Sequence, residues 1–196
     1  AASDVYKRQA EGGIAASLGN VEKDCWQWHY YDTVHGGDWL SDQDAAKMLA
    51  KEARDTVIEL EHFGVAFSRT KDGHINQRFF GGHTADFGKQ PVRRAAYAAD
   101  RIGHQILYSL WQKCLEENIN ISEEIYVTDI AINSETNSVE GVIALNEKTG
   151  SVEKISANNV LIATGGAGRL FATTSNSWDL TGDGMAFCLL YTSDAA

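Results

Sequence analysis

Asn159-Val-Leu-Ile-Ala-Thr-Gly-Gly-Ala-Gly-Arg169, followed a short way on by Thr181-Gly-Asp-Gly184, is the stretch on which the reading of this chain turns. Val160 to Ala163 form an apolar run that ends in Thr164 and a glycine pair, the pattern of a buried strand entering a tight turn. Glycines at Gly165, Gly166 and Gly168 carry no Cβ, so a bound group can reach the backbone there. Gly182-Asp183-Gly184 precedes the apolar Met185-Ala-Phe187, which places Asp183 as a candidate cap of a helix whose free N–H groups face the same ligand. Together these features suggest a dinucleotide site. A plain strand-to-turn connection is the competing reading.

Immediately upstream, Ile125–Ile132, Val139–Leu145 and Ser151–Ile155 alternate as strands, with Lys148-Thr-Gly150 in the last turn, and predict an antiparallel meander. Before it, Ile102, Ile106, Leu110 and Cys114 recur every four residues between Asp100 and Asn118, joined by Leu107 and Trp111, which predicts a well-buried amphipathic helix. Val65–Phe79 reads as a hairpin about Asp72-Gly73, delivering the loop Phe80-Gly-Gly-His-Thr84 as a plausible site wall or, equally, as a packed Phe beside a turn. A further helix starts at a capping-box-like Ser41 and places Ala45, Leu49, Ala53, Val57 and Leu60 on one face before ending at Gly64. The aromatic run Asp24–Asp32 reads as a short docked helix, and the small, apolar Ala10–Gly19, with Gly12-Gly13 near its start, as a short close-packed helix.

The chain has 196 residues, 43% hydrophobic and 22% charged, with a net charge of −10 and a pI near 5.0. That acidic balance argues against nucleic acid as a partner, because little here would neutralise phosphates. The nearest thing to a basic cluster is Arg93-Arg94, with Lys89 and Arg101 nearby; it reads as a solvated loop, with a dicarboxylic substrate as the alternative. Cys25, Cys114 and Cys188 lack Cys-x-x-Cys spacing and the histidines lack His-x-x-x-His, so neither disulfides nor a metal site is expected, and a reducing compartment fits. No apolar run approaches the roughly 20 residues of a spanning helix, so membrane attachment is expected only through partners. Residues 1–9 and 188–196 are expected to be non-native tails resembling translated sequencing adapter, leaving 10–187 as a partial domain.

A meander inserted before a late parallel strand that returns to the ligand is the arrangement of flavin-binding two-dinucleotide folds. The expected class is therefore α/β, a Rossmann-like domain fragment with an inserted antiparallel meander. It lacks the first βαβ unit, since no Gly-x-Gly-x-x-Gly occurs in the sequence.

Eight segments in register carry a family resemblance: Ala10-Glu-Gly-Gly-Ile-Ala-Ala-Ser-Leu-Gly-Asn20, Trp26-x-Trp-His-x-Tyr-Asp-Thr33, Gly37-Asp-Trp-Leu-x-Asp-Gln-Asp44, Phe67-Ser-Arg69, Phe80-Gly-Gly82, Ala99-Asp-Arg-x-Gly-His104, Ala163-Thr-Gly-Gly-Ala-Gly-Arg169 and Thr181-Gly-Asp-Gly184. From about residue 10 to 187 the chain resembles the flavoprotein subunit of succinate dehydrogenase and fumarate reductase. The resemblance implies FAD as cofactor and oxidation of succinate to fumarate, or the reverse. It implies hydride transfer to the flavin N5, an arginine as proton carrier, and electrons passed to an iron–sulfur subunit. Membrane-anchor subunits would hold the assembly on the cytoplasmic side of the inner membrane, or on the matrix side in a mitochondrion.

By family pattern Gly12 and Gly13 lie along the flavin, Tyr126, Val127 and Thr128 meet its adenine side, and Gly165, Gly166 and Asp183 match further FAD positions. Phe80, Gly81 and Gly82 match the wall of the dicarboxylate pocket. Glu11 stands where the family commonly has Gln, and the position of the covalent flavin link falls on Tyr6, to which that role is not transferred. The family's catalytic arginine and its substrate-binding His, Thr and Arg fall beyond residue 196, so no catalytic residue is assigned and the chain by itself is expected to be inactive. Two alternatives stay open. One is a soluble relative such as L-aspartate oxidase or a soluble fumarate reductase; the other is a non-catalytic nucleotide-binding module.

Overall fold

The computed structural model describes residues 12–192, which divide between Ile119 and Asn120 into two compact units. The N-terminal unit contains β1 (Ile14–Ala15), α1 (Trp26–Gly36), α2 (Gln43–His62), β2 (Gln77–Ala85), β3 (Gln90–Ala96) and α3 (Ile102–Glu116). Its antiparallel sheet runs in the order β1-β3-β2.

Within the segment read as a short helix, Ile14–Ala15 instead form a strand, pairing Ile14 with Ala96 and Ala15 with Ala95. Its polar backbone groups are satisfied across the sheet: Ala16 N–H donates to the Arg94 carbonyl at 3.1 Å, and the Gln77 amide donates to the Ala16 carbonyl at 2.7 Å. A small apolar run is compatible with either conformation, and here the available partner strand decided.

Helix α2 forms for the expected reason, a stripe of apolar residues at helical spacing, but the buried set is Ala46, Ala50, Val57 and Leu60, and Leu49 faces out. Asp42, not Ser41, accepts the Ala45 N–H at 2.9 Å and fixes where the first turn begins. Val57 and Leu60 then join Leu18, Val65, Phe67 and Ile102 in the main core, each such burial contributing roughly 1.5–3 kcal/mol. Helix α3 forms but is not well buried. Ile102 enters the core with Ile106 packed beside it, whereas Leu110, Trp111 and Leu115 remain accessible. The Asp72-Gly73 turn is present, closed by Thr70 N–H to the His74 carbonyl at 2.8 Å, yet its arms share only the bridge Arg69–Ile75.

The C-terminal unit is led by the expected meander: β4 (Ile125–Asn133), β5 (Ser138–Asn146) and β6 (Val152–Ser156), antiparallel in that spatial order. Both connections are closed by an asparagine. Asn133 accepts the amides of Glu135 and Thr136 at 2.9 and 3.0 Å, and Asn146 those of Lys148 and Thr149 at 3.1 and 3.2 Å, each side chain standing in for a backbone turn carbonyl. Val160–Ala163 does not form the expected strand. No ladder partner flanks it among the described residues, and Leu161 is 92% exposed. A 3₁₀ turn at Gly168–Leu170 and helix α4 (Asp183–Thr192) complete the unit. No helix among the described residues is long and apolar enough to cross a membrane.

Candidate flavin and dicarboxylate site residues

In the N-terminal unit the site is built around an irregularity of β2. Phe79 pairs with Arg93 and Thr84 with Pro91, so the residues 80–83 lie opposite Val92 alone and bulge out of the ladder. Bulges of this kind re-aim side chains and occur beside active sites. Here the bulge carries Phe80-Gly81-Gly82-His83, expected as a loop and found inside a strand. Gly81 and Gly82 face open space, since a Cβ at either would meet nothing within 4 Å, and Phe80 is 54% exposed.

The bulge folds back on the first expected glycine. A Cβ at Gly12 would lie 2.9 Å from Cε2 of Phe80, so only glycine lets the ring rest there. The Gly12 carbonyl accepts from Arg78 Nε at 3.1 Å. Gly13 has φ +119, and a Cβ there would lie 2.8 Å from the Ala96 carbonyl oxygen; the sheet itself requires a glycine at this position. Gly12 and Phe80 are thus brought together. Glu11 and Tyr6 lie outside the described residues.

The anchor beneath the bulge was not legible as such. Arg94, read as part of a solvated loop, is completely buried. It donates from Nε and Nη2 to the two carboxylate oxygens of Asp24 at 2.8 and 2.7 Å, from Nη1 to Asp32 at 2.5 Å, and from Nη2 to the Thr84 carbonyl at 2.9 Å. Burial by itself would favour the neutral guanidine, but the hydrogen bonds to Asp24 and Asp32 outweigh it and hold Arg94 above its usual value. Asp32 in turn accepts the Thr84 amide at 2.7 Å and the Thr84 hydroxyl. Arg93, the other half of the pair, lies over the Phe79 ring, 4.6 Å from its centroid. Neither arginine is free in a loop. The signal was the setting: Arg94 is flanked by Val92, Ala95 and Ala96 in an apolar strand, where a charge demands partners.

Two imidazoles border this pair. Burial, aided by the Arg94 charge, lowers His29 to about 4 despite Asp24 and Asp32. His83 is lowered by the same causes, and its ring lies 5.9 Å from that of Phe80. The Nδ1 atoms of both are buried without a partner.

In the C-terminal unit the Gly-Gly turn and the start of α4 come together. A Cβ at Gly184 would lie 2.7 Å from Cγ2 of Ile162, Arg169 N–H donates to the Leu180 carbonyl at 3.0 Å, and Gly165 turns with φ +81 against Leu180. Gly166 faces open space. Asp183 is the first helical residue of α4, not the residue before it, and accepts from the Thr181 hydroxyl at 3.1 Å. Tyr126, Val127 and Thr128 lie on β4, with Tyr126 49% exposed and the Thr128 hydroxyl donating to the Ile143 carbonyl at 3.2 Å. The sequence-expected residues therefore fall into two groups, one in each unit.

The FAD binding domain family matches residues 7–190. The chain belongs to that family. Among its relatives, the succinate dehydrogenase flavoprotein subunit of Rickettsia conorii is 46% identical over 176 residues, covering 89% of this chain and 29% of that protein. The Mycobacterium smegmatis Sdh1 complex in the apo form contains a chain 37% identical, with a TM-score of 0.79 over 94% of this chain and 32% of that one. A chain of an Escherichia coli quinol fumarate reductase variant matches at 36% identity and a TM-score of 0.78, again over 94% of this chain and 30% of the other. This FAD-binding domain chain thus spans about a third of the length of the proteins it matches, and its cofactor is FAD.

The described residues fit that cofactor. Gly166 leaves backbone open to an approaching group, whereas in the first turn of α4 the Met185 and Ala186 amides already donate to the Gly182 carbonyl at 3.0 and 3.1 Å. The Asp183 carboxylate would repel a phosphate but accept from a hydroxyl, so within this FAD-binding domain it suits the ribose. The exposed glycines of the bulge and the Phe80 ring suit a flat, partly apolar surface. No cluster of three metal-ligating side chains is found among the described residues.

Proposed function

We propose that this FAD-binding domain chain is part of a flavoprotein that interconverts succinate and fumarate. The observation that carries the reading is the Phe80–His83 bulge, which sets the accessible Phe80 ring against Gly12 and leaves the next two residues, Gly81 and Gly82, facing open space. Its support is the kinship with succinate dehydrogenase and fumarate reductase flavoprotein subunits over nearly all of the chain.

In this reading Gly12, Gly13, Tyr126, Val127, Thr128, Gly165, Gly166 and Asp183 contact FAD, and Phe80, Gly81 and Gly82 wall the dicarboxylate pocket. Bound FAD supplies a two-electron acceptor for the C–H bond that is broken. The chain's own residues position and exclude water. Phe80 offers an apolar face beside the reacting carbons, and the Gly81 and Gly82 peptides approach the substrate without a side chain intervening. His83, held below its usual value by burial and the Arg94 charge, is less readily protonated than an ordinary imidazole. Residues 10–187 are the native part of the domain in this reading. We further infer an iron–sulfur subunit and membrane-anchor subunits as partners, placing the protein peripherally on the cytoplasmic or matrix side of an energy-conserving membrane.

The test is steady-state turnover of the flavin-loaded protein expressed from its full reading frame. Succinate-dependent reduction of an artificial electron-accepting dye is expected, with Phe80→Ala raising KM for succinate. Oxidation of L-aspartate in preference to succinate would replace this reading with that of a soluble amino-acid oxidase.

A further inference from the structure

We propose that Thr84 is a positioning residue: held through every polar group it has by the buried Asp32–Arg94 pair, it fixes the Phe80–His83 bulge as a rigid wall of the dicarboxylate pocket. The inference rests on the functional reading above and deepens it.

A bulge of this size is a weak point in a strand. The residues 80–83 run opposite Val92 alone, leaving the cross-strand ladder, and two of them are glycines with open space around them. Glycine carries the largest backbone entropy, so such a segment is ordered only if its ends are held. At the first end Phe79 pairs with Arg93, whose amide donates to Glu22 at 2.6 Å and whose guanidinium covers the Phe79 ring.

At the second end the hold is tighter. The Thr84 amide and hydroxyl both donate to Asp32, one to each carboxylate oxygen, while the Thr84 carbonyl accepts from Arg94. Arg94 also neutralises Asp32 directly and is braced by Asp24 through two further bonds. The Arg94 carbonyl accepts from Ala16 N–H, in the segment that begins with Gly12 and Gly13. One buried arginine therefore ties the foot of the bulge, helix α1 and the Gly12 segment to a common point. Charged hydrogen bonds in a site closed to water are the means by which a wall is held within the tolerance that catalysis needs.

The side chain of Thr84 can be altered without touching the arginine. In the flavin-loaded protein expressed from its full reading frame, Thr84→Val removes the hydroxyl bond to Asp32 at nearly constant shape, and Thr84→Ser keeps it. Thr84→Val is expected to raise KM for succinate roughly tenfold, the equivalent of one hydrogen bond to a charged group. FAD content should stay near wild type, and amide exchange of the peptide spanning Phe80–Thr84 should quicken. Thr84→Ser should restore both KM and protection, which a merely volumetric role would not. Should Thr84→Val prove insoluble, Thr84→Ala carries the same comparison.

Unchanged KM in Thr84→Val, or a Thr84→Ser variant as impaired as Thr84→Val, overturns the positioning role while leaving the functional reading standing. A wild-type protein that holds FAD but does not turn over succinate overturns that reading, and the pocket-wall role of Thr84 with it.

Discussion

Replacing Arg94 by Met should be the most damaging single change in the N-terminal unit. Methionine fills much of the same volume, so the loss is electrostatic rather than steric. It strands the Asp24 side chain, which is 0% exposed, and that of Asp32, which is 7% exposed, in a site built for a cation. Four side-chain hydrogen bonds disappear at once, three to carboxylates and one to the Thr84 carbonyl. Removing one partner of a buried ion pair costs about 3–5 kcal/mol, because the remaining charge is left unsolvated. Against a domain stability of roughly 5–15 kcal/mol, that is a large share. For a unit of this size each kcal/mol moves the melting temperature by about 4–8 °C, so a drop of roughly 15 °C or more is expected. Arg94→Lys should fall between, since an ammonium cannot serve Asp24 and Asp32 in the same fork geometry. Circular dichroism melts of the three proteins measure this. A loss below about 1 kcal/mol for Arg94→Met would show that the pair contributes little and that the reasoning is wrong.

Three other outcomes can be checked with the chain itself. His29 is held near 4 when folded, whereas an unfolded histidine titrates near 6.5. The unfolded state therefore binds the extra proton between these values, and stability, level above about pH 7, should fall by roughly 3 kcal/mol as pH drops toward 4; in His29→Gln that part of the slope should vanish from the pH dependence of urea melts. Gly13→Ala forces a side chain into the Ala96 carbonyl at positive φ, and should cost at least about 2 kcal/mol in the same assay, more than Gly166→Ala, where nothing stands in the way. Leu110, Trp111 and Leu115 on α3 and Leu161 leave apolar surface accessible, so native protein should enhance the fluorescence of an apolar dye; no enhancement would show that this surface is covered.

What the sequence revealed, and what it hid, divides by range. Helix α2 and the three meander strands were readable because their periodicity lies within a few residues, although the cap proved to be Asp42 rather than Ser41. Val160–Ala163 has the composition of a strand, but a strand exists only with a partner, and composition does not supply one. Ile14–Ala15 are a strand for the converse reason, because β3 supplies a partner and Gln77 satisfies the Ala16 carbonyl that follows. The Gly81-Gly82 pair was read as a loop; glycines inside a strand pattern also signal a bulge, and that cue was available. Arg94 is the clearest case of hidden information. Its carboxylate partners are 62 and 70 residues away, and only the folded chain brings them together. Of the candidate site, the approach of Thr164-Gly165 to the start of α4 agrees with the reading that the Gly-Gly turn and the Asp183 helix face one ligand, whereas the contact of Gly12 with Phe80 was not read from the residues. Nor was its anchoring.

The most direct test of the central claim is an anaerobic titration of the flavin-loaded protein, expressed from its full reading frame, with succinate while the visible flavin absorbance is followed. Loss of the oxidised-flavin band on adding succinate, reversed by fumarate and weakened in Phe80→Ala, is the predicted result. A flavin that stays oxidised at saturating succinate would contradict the account.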